Sequence, residues 1–177
     1  MYISSDTNIW FDFEAIGFPE HPFLLDNEYY LSDVTYHDEI QFSETIRKIV
    51  ESEQLHITTV PVRELQQASE FAEKYPAISI HDAIALSIAK SRGWTLLSGD
   101  GKLRDAAEQE SVECHGTLWI YALLKRERKL SDSVYMQALE KLLDAVENKG
   151  RRLPKAEIIR MIKEQKINKR IMGIRCN

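Results

Sequence analysis

Two cysteines in 177 residues, Cys114 and Cys176, are too few and too far apart for a disulfide scaffold or a zinc cluster. No apolar run approaches the roughly 18 residues that a membrane span requires. The opening Met-Tyr-Ile-Ser-Ser-Asp lacks the basic stretch and the apolar stretch of a signal peptide. Glycine (seven) and proline (five) are sparse, and there is no repeat of fixed period or low-complexity segment. Collagen-like, coiled-coil, disulfide-rich secreted and transmembrane classes are thereby excluded. Nucleotide signatures are missing too. Gly99-x-Gly101 lacks the third glycine and the later acid of a dinucleotide fingerprint, and no phosphate-binding G-x-x-x-x-G-K-[ST] loop occurs. The five histidines, at 21, 37, 56, 81 and 115, form no metal-binding spacing.

What is present is 44% hydrophobic and 29% charged, too rich in aliphatic residues for a disordered chain. The length suits one globular domain with an appendage, and a cytoplasmic location is expected. The net charge of -5 hides an asymmetry: residues 149–177 carry ten Lys/Arg against two Glu, and residues 1–148 carry thirteen against twenty-six acids. A basic tail on an acidic body reads either as an anion-binding arm or as a solvated helix that folds back on its own acids. Its lack of interleaved aromatics argues against base stacking by the tail itself.

Short apolar runs alternate with helical periods. Strands are expected over 2–4, 29–32, 55–60, 94–97 and 112–114, and helices over 34–51, 64–74, 80–91, 100–109 and 118–126, the last with Thr117 as cap. Such alternation predicts a parallel sheet with helices on both faces. Two further helices, 132–146 and 154–166, suggest a domain over 1–130 followed by a basic α-helical extension over 131–177.

In open parallel sheets, chemistry gathers beyond the carboxyl ends of the strands. Asp6 follows the first strand, Glu39 lies early in the helix after the second, Asp82 opens the helix at 80, and Asp100 follows the strand 94–97. Each has a bland role available. Ser79 and Asp82 fit a capping box, Asp100 an N-cap, and Asp6 an Asx-turn with Asn8. Gathered together without a basic residue, such carboxylates raise one another's pKa unless a cation is present. A hard divalent ion with oxygen ligands, Mg²⁺ or Mn²⁺, answers that need, and phosphodiester hydrolysis is the chemistry it serves. Asp105, about 140° around a helix from Asp100, is expected to point away.

These residues carry a resemblance. Ile3-Ser4-Ser5-Asp6-Thr7-Asn8 resembles the opening of PIN-domain proteins. Ser79-Ile80-His81-Asp82-Ala83-Ile84-Ala85-Leu86 is similar to the family's third acidic motif. Leu96-Leu97-Ser98-Gly99-Asp100-Gly101-Lys102-Leu103-Arg104, with its acid 18 residues on from Asp82, resembles the fourth. His115-Gly116-Thr117-Leu118-Trp119 continues the likeness toward a bacterial and archaeal subgroup related to VapC toxins. The resemblance implies a PIN-like three-layer α/β/α domain in which Asp6, Glu39, Asp82 and Asp100 form the acidic site. Asp6, Asp82 and Asp100 would ligate Mg²⁺ or Mn²⁺, Asn8 and Ser98 would support them, and Asp38 and Glu44 compete with Glu39 for the second acid. It further implies metal-dependent cleavage of RNA, frequently as the toxin of a toxin–antitoxin pair, with an antitoxin protein and a second copy of the chain as partners.

Two rival functions stand beside this one. An Asp-nucleophile phosphatase would also place Asp6 at a first strand's end, but the second aspartate it needs is Asn8 here. A catalytically silent PIN-like module would bind a protein or RNA partner without cleaving it. Among other residues, Lys102 and Arg104 either meet phosphate or sit on a solvated face, His81 could tune Asp82, and Cys114 reads as packed core rather than nucleophile.

Overall fold

Residues 2–5, 28–32, 55–58, 95–97 and 114–115 are short β-rich runs bounded by turn or capping residues, and all five pair into one sheet. In the computed structural model, which describes residues 1–40 and 43–175 (side chains of 40 and 168–175 excepted), the strands are β1 (Tyr2–Ser5), β2 (Glu28–Ser32), β3 (Leu55–Thr58), β4 (Thr95–Leu97) and β5 (Cys114–His115). Every pairing is parallel, and the order is β3-β2-β1-β4-β5. Ile3 stands opposite both Tyr29 and Thr95, which fixes β1 at the centre.

Parallel strands need crossover helices, which cover both faces of the sheet. Side-chain alternation assigns the faces. Ile3, Tyr29, Leu31, Leu55 and Leu97 point into one core, shared with Ile9, Trp10 and Phe13 of α1 (Thr7–Ala15) and Ile46 of α3 (Glu44–Glu51). Leu96 points to the opposite face, among residues of α4 (Val62–Lys74), α5 (Ile80–Arg92) and α6 (Gly101–Gln109). Ser4, whose hydroxyl donates to the Ala85 carbonyl at 2.9 Å, pins β1 to α5 on that side. The architecture is the expected three-layer α/β/α sandwich.

Two expectations about helices change. The run 34–51 is not one helix: α2 (Asp33–Thr35) passes into a π-helical turn (Tyr36–Ile40), and α3 starts afresh where the Ser43 hydroxyl accepts from the Ile46 amide at 3.3 Å. A residue with a side-chain oxygen and non-helical dihedrals starts a helix rather than continuing one. Thr117 does not cap α7 (Thr117–Arg126): Gly116 holds the cap position, and the Thr117 hydroxyl is used elsewhere.

The helices past residue 130 join the main core. Tyr135, Leu139 and Leu142 of α8 (Asp132–Asn148) and Ile158 and Met161 of α9 (Lys155–Arg175) are buried in the same cluster as Trp10 and Tyr121. Their basic residues are partly spent on the body. Lys149 donates to the Ala15 carbonyl at 2.8 Å, Lys155 pairs with Glu147 at 2.8 Å, and Arg151 reaches α1. Folding back therefore describes this stretch, although Arg152, Lys163 and Lys166 stay exposed. Among the described residues no helix is long and apolar enough to cross a membrane.

Candidate active site

The strand order reverses at β1: β2 and β3 lie to one side, β4 and β5 to the other. In doubly wound sheets the crevice beyond the strand ends at such a reversal is the ligand site. Asp6 leaves β1 at that place, and Ser98-Gly99-Asp100 leaves β4 beside it, with the Asp6 amide donating to the Leu97 carbonyl at 3.0 Å.

Asp6 is 6% exposed and caps α1. Its Oδ1 accepts from the Asn8 amide (3.3 Å) and the Thr7 hydroxyl (3.2 Å), and its Oδ2 from the Ser98 hydroxyl (2.9 Å) and the Asn8 side-chain amide (3.4 Å). Burial, followed by the nearby negative charge of Asp82, pushes its pKa above the ordinary carboxylate value, and the hydrogen bonds from Ser98 and Asn8 offset this only in part. Ser98 is fully buried and serves two acids, because its Oγ also accepts from the Asp100 amide at 3.0 Å.

Asp82 and Asp100 fill the capping roles open to them. Asp82 Oδ2 accepts from the Ser79 amide and hydroxyl, both at 2.8 Å, completing a capping box on α5. Asp100 Oδ1 accepts from the amides of Lys102 (2.8 Å) and Leu103 (2.9 Å) at the start of α6. Each cap uses a single oxygen. Asp82 Oδ1 and Asp100 Oδ2 have no hydrogen-bond partner among the described residues.

The π-helical turn brings Asp38 and Glu39 toward α5, where His81 Nε2 lies 3.6 Å from Asp38 Oδ2 and 3.9 Å from Glu39 Oε1. The other imidazole nitrogen is 3.4 Å from the Thr35 hydroxyl. Glu44 instead pairs with Lys48 at 2.8 Å on the exposed face of α3. Asp38 and Glu39 thus face His81 in the first turn of α5, whereas Glu44 is engaged within its own helix.

A cleft of about 600 Å³ opens between α1, the start of α6 and the α8–α9 connection, walled by Asn8, Asp12, Asp100, Asp105, Arg151 and Arg152 among others; of the four expected acids only Asp100 lines it. Asp105 lines it, contrary to the helical-wheel expectation. Asp100 is the cap, with extended dihedrals (φ -77°, ψ 125°), so the regular helical angle cannot be counted from it. Asp12 was not signalled by any strand-end rule. It is 3% exposed, accepts from the Thr117 hydroxyl at 2.6 Å and from Arg151 Nε at 2.7 Å, and burial still holds its pKa above the usual value. Arg151 also donates to the Asn8 carbonyl at 2.8 Å, so the α8–α9 connection closes one wall. An acid set within the apolar stretch 9–16 was the available clue. Cys114 is half-buried, and burial pushes its thiol up to about 11, which keeps it protonated at neutral pH.

The acids at and near Asp6 offer carboxylate oxygens, which Mg²⁺ and Mn²⁺ accept, and the Asp6–Asp82 repulsion is what a cation relieves. Among the described residues no three acid, imidazole or thiol groups already stand together at coordinating distance. The donor set fits a hard ion; the ligand cluster is not closed, because Asp82 and Asp100 lean back onto their helices.

A five-stranded parallel α/β/α sandwich with acids at the carboxyl edge of its central strands defines a PIN-type fold, a nuclease class of fold. The model of the DUF3368 family, a PIN domain, matches residues 5–166, and the chain belongs to that family. The match runs through α8 and into α9, in keeping with their place in the core. No curated protein and no solved structure matches the chain significantly.

Proposed function

We propose that this protein is a divalent-metal-dependent endoribonuclease whose acidic site is Asp6, Asp82 and Asp100, with Glu39 as the fourth acid. The observation that carries the reading is the nearly inaccessible Asp6 carboxylate at the sheet's reversal point, held by Ser98 and repelled by Asp82. Like charges kept together at a cost to stability are characteristic of a functional site. Asp6, Asp82 and Asp100 would hold Mg²⁺ or Mn²⁺, the last two through the oxygens their caps leave unused. When bound, a divalent ion supplies Lewis acidity toward water and a phosphoryl oxygen.

The protein's own residues do the rest. Ser98 and Asn8 fix the orientation of the Asp6 carboxylate, while Lys102 and Arg152 at the cleft margins draw in the phosphate backbone. In the reaction the oxygen of water bonds to phosphorus, one P–O ester bond breaks, and a proton goes to the departing oxygen. RNA is the substrate preferred by the resemblance to VapC-like proteins. That resemblance extends the reading to a toxin's role, in which expression arrests growth and Asp6→Asn relieves the arrest.

Purified protein with Mn²⁺ should cleave single-stranded RNA, EDTA should stop it, and Asp6→Asn should abolish it. Equal cleavage by wild type and variant would refute the assignment. One observation favours a second reading, a silent binding module: both Asp82 and Asp100 are committed to helix caps. Absence of Mn²⁺ binding at millimolar metal would select it.

A further inference from the structure

A second cleft, of about 330 Å³, opens on the same edge of the sheet and shares Gly99 and Arg152 with the wall of the first. His115, at the end of β5, and Trp119, in the first turn of α7, stack within it with ring centroids 4.2 Å apart and planes 5° from parallel. Both rings remain partly exposed, the imidazole is held by Glu113 at 2.8 Å, and both line the cleft. Arg104 and Arg152 also line it, and neither has an ion-pair partner among the described residues. The wall carries one acid, Glu157, which is already bound by Arg160. The floor has no side chain at Gly99 or Gly116. A Cβ at Gly116 would come within 3.4 Å of the Ser98 carbonyl and 3.9 Å of the Arg104 guanidinium.

An aromatic platform flanked by unpaired guanidiniums is the combination that binds single-stranded nucleic acid: rings stack on bases and cations meet phosphates. We propose that this cleft is a nucleobase subsite, holding one base of a single-stranded RNA against the His115–Trp119 stack while Arg152 carries the adjoining phosphate toward the acidic cleft. The proposal rests on RNA being the substrate. It goes beyond that reading by naming where a base is held and which residues hold it. The tail has no aromatics of its own, but folding places its Arg152 beside aromatics from the α/β core. Base stacking thus becomes available to a segment whose sequence alone argued against it.

The test is binding without cleavage. Fluorescence anisotropy of a labelled eight-nucleotide single-stranded RNA, in EDTA, should show wild-type binding that weakens about tenfold for Trp119→Leu, the range typical of losing one stacked base. Trp119→Phe should retain most of the affinity. Arg152→Ala, at an exposed position, should weaken binding severalfold and flatten its salt dependence. A series of strands with a single abasic site should reveal one position whose loss weakens wild-type binding and leaves Trp119→Leu unchanged. That series needs no variant to fold better than wild type. Undiminished binding by both Trp119→Leu and Arg152→Ala, no binding by wild type, or an abasic series without a sensitive position would overturn the subsite. Binding that meets every expectation, in a protein that does not cleave with Mn²⁺, would leave the subsite standing and overturn the nuclease chemistry.

Discussion

Replacing Asp6 by Asn should make the protein more stable without metal and less stable with it. The Asp6 carboxylate is 6% exposed, has lost most of its hydration, and lies within reach of the Asp82 charge; both effects disfavour its ionised form. Asn keeps the shape and the Oδ1 acceptor that caps α1, removes the charge, and loses one of the hydrogen bonds now made to Oδ2 by Ser98 and Asn8. Relief of the charge should exceed the lost bond, which as a bond to a carboxylate is worth about 1.5–3 kcal/mol. A net gain of about 1 kcal/mol is in line with other substitutions of strained functional residues. For a chain of this length that is roughly 2–4 °C in Tm. With Mn²⁺ at a hundred times its Kd, the wild type should gain about 2.7 kcal/mol by mass action, roughly 5–10 °C, and the variant little. Thermal unfolding in EDTA and in Mn²⁺ should therefore show the two proteins exchanging order. RNA cleavage by the variant should fall at least about a hundredfold, since even residues behind metal ligands are worth 10- to 100-fold. A variant that melts lower in EDTA, or that gains as much from Mn²⁺ as the wild type, would refute the reasoning.

Two other perturbations probe the supports of the site and a third the fold that carries it. Ser98→Ala removes the hydroxyl shared by Asp6 and the Asp100 amide, and should reduce Mn²⁺ affinity by about 10- to 100-fold in a calorimetric titration. Arg151→Ala strips the buried Asp12 of its cation and should cost about 2–3 kcal/mol in urea unfolding at pH 7, below the full range for buried pairs because Arg151 is itself about a quarter exposed. Adding Asp12→Asn should recover part of that loss, and an unchanged midpoint for Arg151→Ala would show the contact to be idle. Glu110 is gripped by Lys74, Lys90 and the Tyr75 hydroxyl; these contacts outweigh burial and hold its pKa down at about 2. A depressed carboxylate stabilises the fold above its unfolded pKa near 4.5, and that contribution is lost as pH falls toward 2. Glu110→Gln should cost about 2 kcal/mol at pH 7, and urea midpoints of variant and wild type should converge between pH 4.5 and 2.

Residues whose environment is set by near neighbours were legible in the sequence. The strand 94–97 shows as an apolar run between turn residues, and α5 as a helix between a Ser79-x-x-Asp82 box and Gly93, which takes the left-handed conformation (φ 67°). What escaped was set by distant contacts. The helix α1 is buried on several sides, with Ile9, Trp10, Asp12 and Phe13 all inaccessible, so it has no polar face to give a period. Its Asp12 gains meaning only from Thr117 and Arg151, 105 and 139 residues away. The break in 34–51 was readable at Ser43-Glu44, a cap residue followed by an acid, but the helix-forming residues on both sides hid it.

Gathered carboxylates demand a cation only where nothing else in the chain offsets them, and here something does. Asp6, Asp82 and Asp100 each sit at the amino end of a helix, where unpaired amides carry partial positive charge. Each helix start supplies part of the compensation a basic residue would give, and Arg151 supplies part of it for Asp12. Capping and metal binding then compete for the same side chains only in part. The caps use Asp82 Oδ2 and Asp100 Oδ1 and leave the second oxygen of each to turn toward the crevice. A site of this kind should bind its ion with modest affinity, because closing it asks Asp82 and Asp100 to reorient against caps worth about 1 kcal/mol each.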